Sequence, residues 1–281
     1  MSGVEIRRVA IAPGIALRLR LWAEGDGRPF LLVHGLASNA RMWDGVAAAL
    51  ARAGHPVGAV DLRGHGQSDK PDGGYDMATV ADDLASVVGE LGADLAWDRP
   101  VAVGQSWGGN VVLELGAEHP HLVAGAAAVD GGTIELARRF PDWDACAGAL
   151  GPPVTEGTPA AELEALLRVS HPDWPDSGIA GMLANWERRP DGTVAPWLTR
   201  DRHLLVLRGL WDHHPSTLYP TLDVPVLFIP VAGREKDCDE AMAALRKGRV
   251  DALEGDHDLH AQHPEAVARV LLDAVADGFF P

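Results

Sequence analysis

The chain has 281 residues, just under half of them apolar, and a formal net charge of −16. That is length enough for one α/β domain carrying an insertion, and apolar content enough for a large core. The acidity argues against nucleic acid or an anionic membrane as a partner. No apolar run approaches the ~20 residues of a membrane span, and Met1 to Arg8 lacks the apolar core of a signal peptide. Two cysteines, Cys146 and Cys238, lie far apart without Cys-x-x-Cys spacing and read as free thiols in a reducing compartment. A cytoplasmic protein is expected, monomeric or homodimeric, working on a small molecule.

In chain order, residues 15–22 alternate apolar and polar and predict a half-exposed strand. Residues 29–35 predict a wholly apolar strand ending in a tight loop, and 41–53 an amphipathic helix with Gly54 as its C-cap. Residues 55–61 predict the next buried strand. Residues 79–91 predict a helix with Thr79 as N-cap and Asp82 three positions on, close to a capping box. Strand 100–105, helix 107–118 and strand 123–129 follow. Continuous apolar strands alternating with helices imply a parallel sheet covered on both faces. Ligands of such sheets bind at the carboxyl ends of strands. His34, Asp61, Ser106 and Asp130 all fall at or just past such ends.

The rhythm breaks over residues 133–222. Short helical pieces are expected there, for example 160–169 and 201–211, with five tryptophans: Trp143, Trp174, Trp186, Trp197 and Trp211. Strand 224–229, helix 240–246, strand 249–253 and helix 264–276 then resume it. The fold class is therefore α/β, a mostly parallel doubly wound sheet formed by residues 1–132 and 223–281, with residues 133–222 as an inserted helical cap.

Gly104-Gln105-Ser106-Trp107-Gly108 is a G-x-S-x-G pentapeptide set between a predicted strand and a predicted helix. That setting turns the pattern into a nucleophile elbow. The turn must be sharp to present the serine Oγ, and glycines at 104 and 108 let the two backbones approach. The Trp107 N–H then points where it can help hold an oxyanion. Glycine-rich phosphate loops are absent, so no nucleotide is implied.

These residues resemble the α/β-hydrolase fold superfamily. The resemblance is carried by His34-Gly35, by Asp61-Leu62-Arg63-Gly64-His65-Gly66-Gln67-Ser68, by the elbow, and by His257 before the last helix. It implies Ser106 as nucleophile, His257 as base, and an oxyanion hole from the Leu36 and Trp107 amides. It makes His34 a structural residue of the oxyanion turn, and His34, Gly35 and Trp107 are expected to border the substrate. Asp61 belongs to its turn and is read as structural. His260 and His263 are expected to be exposed. His213-His214 falls in the cap, solvated or substrate-facing. No metal or other cofactor is expected.

The triad acid has two candidates. Asp237 resembles the family acid in Gly233-Arg234-Glu235-Lys236-Asp237 after strand 224–229, although the usual slot falls nearer Arg234. Asp237 could equally cap the following helix. Asp130, at the end of strand 123–129, occupies the place where some members of the superfamily carry the acid.

Serine at the elbow favours acyl chemistry, because it needs a base and an acyl carbon. The expectation is a carboxylic-ester hydrolase for a small, largely apolar or aromatic substrate, working through an acyl-enzyme. The alternatives are a lactone, thioester or carbon–carbon bond hydrolase on a biosynthetic intermediate, haloperoxidase-like activity, or a non-catalytic ligand-binding protein. The cap tryptophans are either the core of the cap or the walls of the pocket.

Overall fold

A computed structural model of the protein describes residues 3–281. The strands are β1 (Glu5–Ala12), β2 (Ile15–Trp22), β3 (Phe30–Val33), β4 (Val57–Asp61), β5 (Val101–Gln105), β6 (Gly125–Val129), β7 (Trp186–Arg188), β8 (Val194–Pro196), β9 (Val226–Ile229) and β10 (Gly248–Val250). The helices are α1 (Asp44–Arg52), α2 (Met77–Leu95), α3 (Trp107–Glu118), α4 (Leu136–Arg139), α5 (Trp143–Leu150), α6 (Ala160–Ser170), α7 (Asp176–Leu183), α8 (Arg200–Asp212), α9 (Asp239–Ala244), α10 (Leu259–Gln262) and α11 (Pro264–Ala276). Among the described residues no helix is long and apolar enough to cross a membrane.

Eight strands form one sheet in the order β1-β2-β4-β3-β5-β6-β9-β10. The β1–β2 and β2–β4 pairs are antiparallel and the rest are parallel. Strands β3 to β6 and β9 are buried on both faces, as continuous apolar runs require. Leu31, Val33 and Ala102 pack toward α2 and α3, while Phe30, Leu32, Val101 and Val103 pack toward α1 and α11. The register sets Gln105 beside Val129, and Val129 beside Ile229. The chain positions following those three residues therefore emerge together at the carboxyl end of the parallel strands, and they include Ser106 and Asp130.

Several elements differ from their expected form. Strand β1 was not anticipated, because only Val9 in it is fully buried and its pattern carries no clear period. Helix 41–53 starts as a tight 3-10 turn at Ala40–Trp43, where the Asn39 side chain accepts from the Arg41 N–H. Helix α2 starts at Met77, with Asp76 rather than Thr79 as the N-cap. The Asp76 carboxylate accepts from the Thr79 N–H at 2.9 Å, so Thr79 is the third residue of the first turn.

The segment between β6 and β9 holds α4 to α8 and is not purely helical. Strands β7 and β8 form a two-stranded antiparallel hairpin closed by a turn in which Gly192 adopts φ +84° and the Arg189 N–H donates to the Thr193 carbonyl. Three-residue strands carry too few side chains to show a period of two. This segment is fastened to the sheet domain by close backbone contact. A Cβ on Gly181 would lie 2.8 Å from the Arg41 carbonyl oxygen, and one on Gly209 would lie 2.2 Å from that of Tyr75.

Candidate active site

Strand β5 runs into α3 through Ser106 alone. Its backbone sits at φ 53°, ψ −121°, a left-handed conformation that costs a non-glycine residue roughly 1–3 kcal/mol. The surroundings hold it there. The Ser106 N–H donates to the Val129 carbonyl at 3.0 Å, and the Ser106 carbonyl accepts from the Gly109 N–H at 2.9 Å. The two motif glycines are required by space. A Cβ on Gly104 would lie 2.0 Å from the Gly108 carbonyl oxygen, and one on Gly108 would lie 2.5 Å from the carbonyls of both Val33 and His34. Within residues 101–110 only Ser106 is not fully buried.

The neighbouring turn is fixed just as tightly. Gly35 lies against the elbow, for a Cβ there would lie 3.2 Å from Ser106 Cβ and 2.5 Å from Gln105 Oε1. Among the described residues, neither the Leu36 nor the Trp107 N–H meets a protein acceptor. His34 is fully buried: Nδ1–H donates to the Gly35 carbonyl at 2.7 Å and Nε2 accepts from the Leu62 N–H at 3.0 Å. Desolvation pushes its pKa down to about 4, so it is a neutral staple. His65 does the same work alongside, with Nε2 accepting from Ala37 N–H and Nδ1–H donating to the Arg63 carbonyl. Asp61 accepts from the backbone N–H groups of Ala40 and Gln67.

These contacts correct two expectations about substrate contact. The His34 ring is sealed in the core. The Trp107 indole is 1% exposed and stacks on His65 with ring centres 5.3 Å apart, so it supports the oxyanion turn instead of walling a pocket. Position beside Ser106 does not fix its side-chain direction, which the first turn of α3 aims inward.

Asp130 follows β6 with φ +39°, and its N–H donates to the Ile229 carbonyl at 2.9 Å. Its buried carboxylate reaches three groups. Oδ2 accepts from His257 Nδ1–H at 2.5 Å and from Arg234 Nη1 at 2.8 Å, and Oδ1 lies 3.4 Å from the Val231 N–H. Burial pushes this carboxyl up, but the hydrogen bond and charge of His257, with the charge of Arg234, outweigh it and hold Asp130 below the ordinary carboxylate range. The bond to Asp130 in turn holds His257 above the ordinary imidazole value, against desolvation. The His257 carbonyl accepts from Gln105 Nε2 at 2.9 Å, which ties its loop to the residue preceding Ser106.

Asp237 does not reach His257. The turn after β9, with Gly233 at φ +88°, directs Arg234 toward Asp130 and carries residues 235–238 away as a 3-10 turn. The Asp237 carboxylate is taken by Arg234 at 3.0 Å and is about half exposed. Of the two candidate acids, the structure joins only Asp130 to the histidine.

His260 and His213 also differ from expectation. His260 is fully buried against Trp43, 4.4 Å between ring centres, with both nitrogens unpartnered, and desolvation pushes it down to about 3. It is core, placed there because the loop after His257 turns directly into α10. His213 is buried 3.6 Å from Glu114, whereas His214 is solvated, one of the two expected outcomes, and pairs with Glu135 at 3.1 Å.

A cavity of about 430 Å³ lies in the inserted segment and touches the loop after β3 through Ala37, while Ser106 and His257 are not among its lining residues. Ala37 contributes to it from the turn, and Pro152, Trp186, Leu198, Arg200 and His203 from the segment. Its walls are mainly apolar. Of the five segment tryptophans only Trp186 lines this cavity. Trp143 and Trp211 pack edge to face, Trp197 lies under Lys70, and buried Trp174 donates to Asp256 at 2.9 Å. Sequence reasoning missed Arg234, Gln105 and the Trp174–Asp256 contact. An arginine in the turn after β9 was the one available signal, since adjacent parallel strands bring their ends together.

A fold of this topology, with a strained strand-to-helix serine and an acid–histidine pair at the strand ends, defines an α/β-hydrolase. A family profile described as alpha/beta hydrolase fold matches residues 28–160. The chain has the fold of the α/β-hydrolase superfamily. It is similar to an uncharacterized protein of Mycobacterium tuberculosis, 37% identical over 110 residues, a match that spans 39% of this chain and only 31% of that protein. It is similar over nearly its whole length to the 2-(acetamidomethylene)succinate hydrolase of Mesorhizobium japonicum, 27% identical over 275 residues, 96% of this chain and 94% of that one. A solved structure of E-2-(acetamidomethylene)succinate hydrolase superposes with TM-score 0.79 at 26% identity, over 97% of this chain and 99% of the other.

Proposed function

We propose that the protein is a serine hydrolase that cleaves an acyl bond of a small, largely apolar or aromatic substrate through an acyl-enzyme. The observation that carries this reading is the Asp130–His257 hydrogen bond, on a loop tied through Gln105 to the strained Ser106 elbow. In the reaction, His257 takes the Ser106 proton as Oγ attacks the acyl carbon. Asp130 fixes the tautomer with Nε2 free and stabilises the imidazolium. The Leu36 and Trp107 amides hold the oxyanion, each donor worth roughly 3 kcal/mol in acyl-transfer sites. His257 returns the proton to the leaving group, and water repeats the sequence to free Ser106. The apolar cavity beside Ala37 receives the substrate body.

A simple carboxylic ester is the first substrate class. The similarity over nearly the whole length to a 2-(acetamidomethylene)succinate hydrolase favours a second, an acetamido-dicarboxylate like the one that relative is named for. Labelling with a fluorophosphonate probe and peptide mapping tests the serine chemistry. Stoichiometric modification of Ser106, absent in Ser106→Ala, is expected. Folded wild type that takes no label sinks the proposal in favour of a binding role. A panel of p-nitrophenyl esters and acetamido-dicarboxylates then separates the two classes.

A further inference from the structure

The carboxylate of the acid–histidine pair is shared. Arg234 Nη1 and His257 Nδ1 both donate to the same oxygen, Asp130 Oδ2, at 2.8 and 2.5 Å. The other Asp130 oxygen has only the long contact from the Val231 N–H. Arg234 is not a loose surface side chain at this point. It follows Gly233 in the turn after β9, and the Val231 carbonyl accepts its N–H at 3.0 Å. Its Nε and Nη2 grip Asp237 Oδ2 at 3.2 and 3.0 Å while Nη1 holds Asp130. The guanidinium fork is thus oriented by one carboxylate and delivered to the other.

We propose that Arg234 is a positioning residue of the acid–histidine pair: it fixes the Asp130 carboxylate and withholds part of its charge from His257, so that the imidazole stays a free base to lower pH. The proposal rests on the serine-hydrolase reading for its catalytic meaning, though not for its geometry. The physical argument is charge sharing at one oxygen. A carboxylate that accepts only from an imidazole gives its whole charge to the imidazolium and makes the ring more basic. A fixed cation on the same oxygen opposes that. The other groups facing the pair are Asp258, which favours the imidazolium, His260, which is buried and neutral, and Cys238, whose thiol burial pushes up to about 12. None of them is a second cation, so Arg234 is the one fixed positive charge among these groups that works with burial against the pull of Asp130 and Asp258 on the imidazolium. Asp237 offsets part of its charge and fixes its direction.

The test is the titration of His257 followed by nitrogen-15 NMR, with the signal assigned by its loss in His257→Gln, in wild type, Arg234→Met, Arg234→Gln and Arg234→Lys. Fluorophosphonate labelling rates across pH are measured on the same proteins. The expected result is an upward shift of the His257 titration in both neutral variants, with an equal upward shift of the acid limb of labelling. Arg234→Lys should return both toward wild type, and in an Asp130→Asn background Arg234→Met should shift His257 far less. Arg234 is nearly half exposed, so these proteins should fold, as circular dichroism would verify. An unchanged or lowered His257 titration in folded Arg234→Met and Arg234→Gln overturns the proposal. Absence of labelling at every pH, with the NMR shift present, removes the serine reading and leaves the charge sharing intact.

Discussion

The elbow region and the inserted segment are held by different kinds of contact. Around Ser106 the backbone is packed against itself: Gly104 on Gly108, Gly108 on residues 33 and 34, and Gly131 on the Ser106 carbonyl, at separations no Cβ would tolerate. Buried His34, His65 and Asp61 then pin the loop that follows β3. The segment meets the sheet domain backbone to backbone at Gly181 and Gly209, and is further tied by side chains and loop carbonyls. Asn39 Nδ2 donates to the Gly181 carbonyl and to Asn185, Trp174 donates to Asp256, and Arg202 pairs with Asp72. Backbone interlocking leaves one geometry for the reacting groups. Away from its close backbone approaches, side-chain ties leave the segment more freedom to adjust than the elbow has.

That contrast can be broken first at the acid. Asp130→Asn should lower the fluorophosphonate labelling rate by about 10³–10⁴-fold, the scale seen when a triad histidine loses its carboxylate. Its acid limb should move to lower pH, because the hydrogen bond that raises His257 is gone. In wild type that limb should lie above the ordinary imidazole value, with rate gained as pH rises through it. A wild-type limb below pH 6 would contradict the Asp130 bond.

The interlocked backbone is tested next by Gly108→Ala. Its Cβ would press on two carbonyl oxygens at once, so a loss of roughly 1–3 kcal/mol is expected in urea unfolding, with labelling slowed further by a displaced oxyanion turn. If the variant keeps wild-type stability, the close approach is not a constraint. The segment should respond more mildly. Trp174→Phe removes one hydrogen bond to Asp256, worth about 1 kcal/mol, and should quicken amide exchange around residues 254–258 while leaving Ser106 fully labelled. The smallest effect belongs to Asp237→Asn. A half-exposed ion pair is worth at most ~1 kcal/mol, so labelling should fall no more than about fivefold. A loss matching that of Asp130→Asn would reverse the assignment of the acid.

The buried strands of the sheet, the strand-to-helix setting of Ser106 and the place of His257 in the last loop could be read along the chain, because each depends on local pattern. Apolar runs bounded by turns mark buried strands, and a serine between glycines at a strand-to-helix junction marks the elbow. Even the limits of α11 follow from Pro264 and the periodicity after it. Strand β1 and the hairpin of β7 and β8 were hidden, since strands that are mostly exposed or very short carry no period of their own and exist through their partners. Which aspartate bonds His257 was hidden for a related reason. Asp130 and Asp237 both follow a strand, and sequence distance to His257 does not separate them. The choice was made by the adjacency of β6 and β9 and by the turn at Gly233, which sends Arg234 rather than Asp237 to the strand ends. Likewise, that Trp107 and His260 are buried depends on which way a first helical turn faces. Sequence determined which groups the protein has and the strands that carry them. Only the tertiary structure decided which of those groups share a hydrogen bond, because that depends on side-chain direction across elements far apart in the chain.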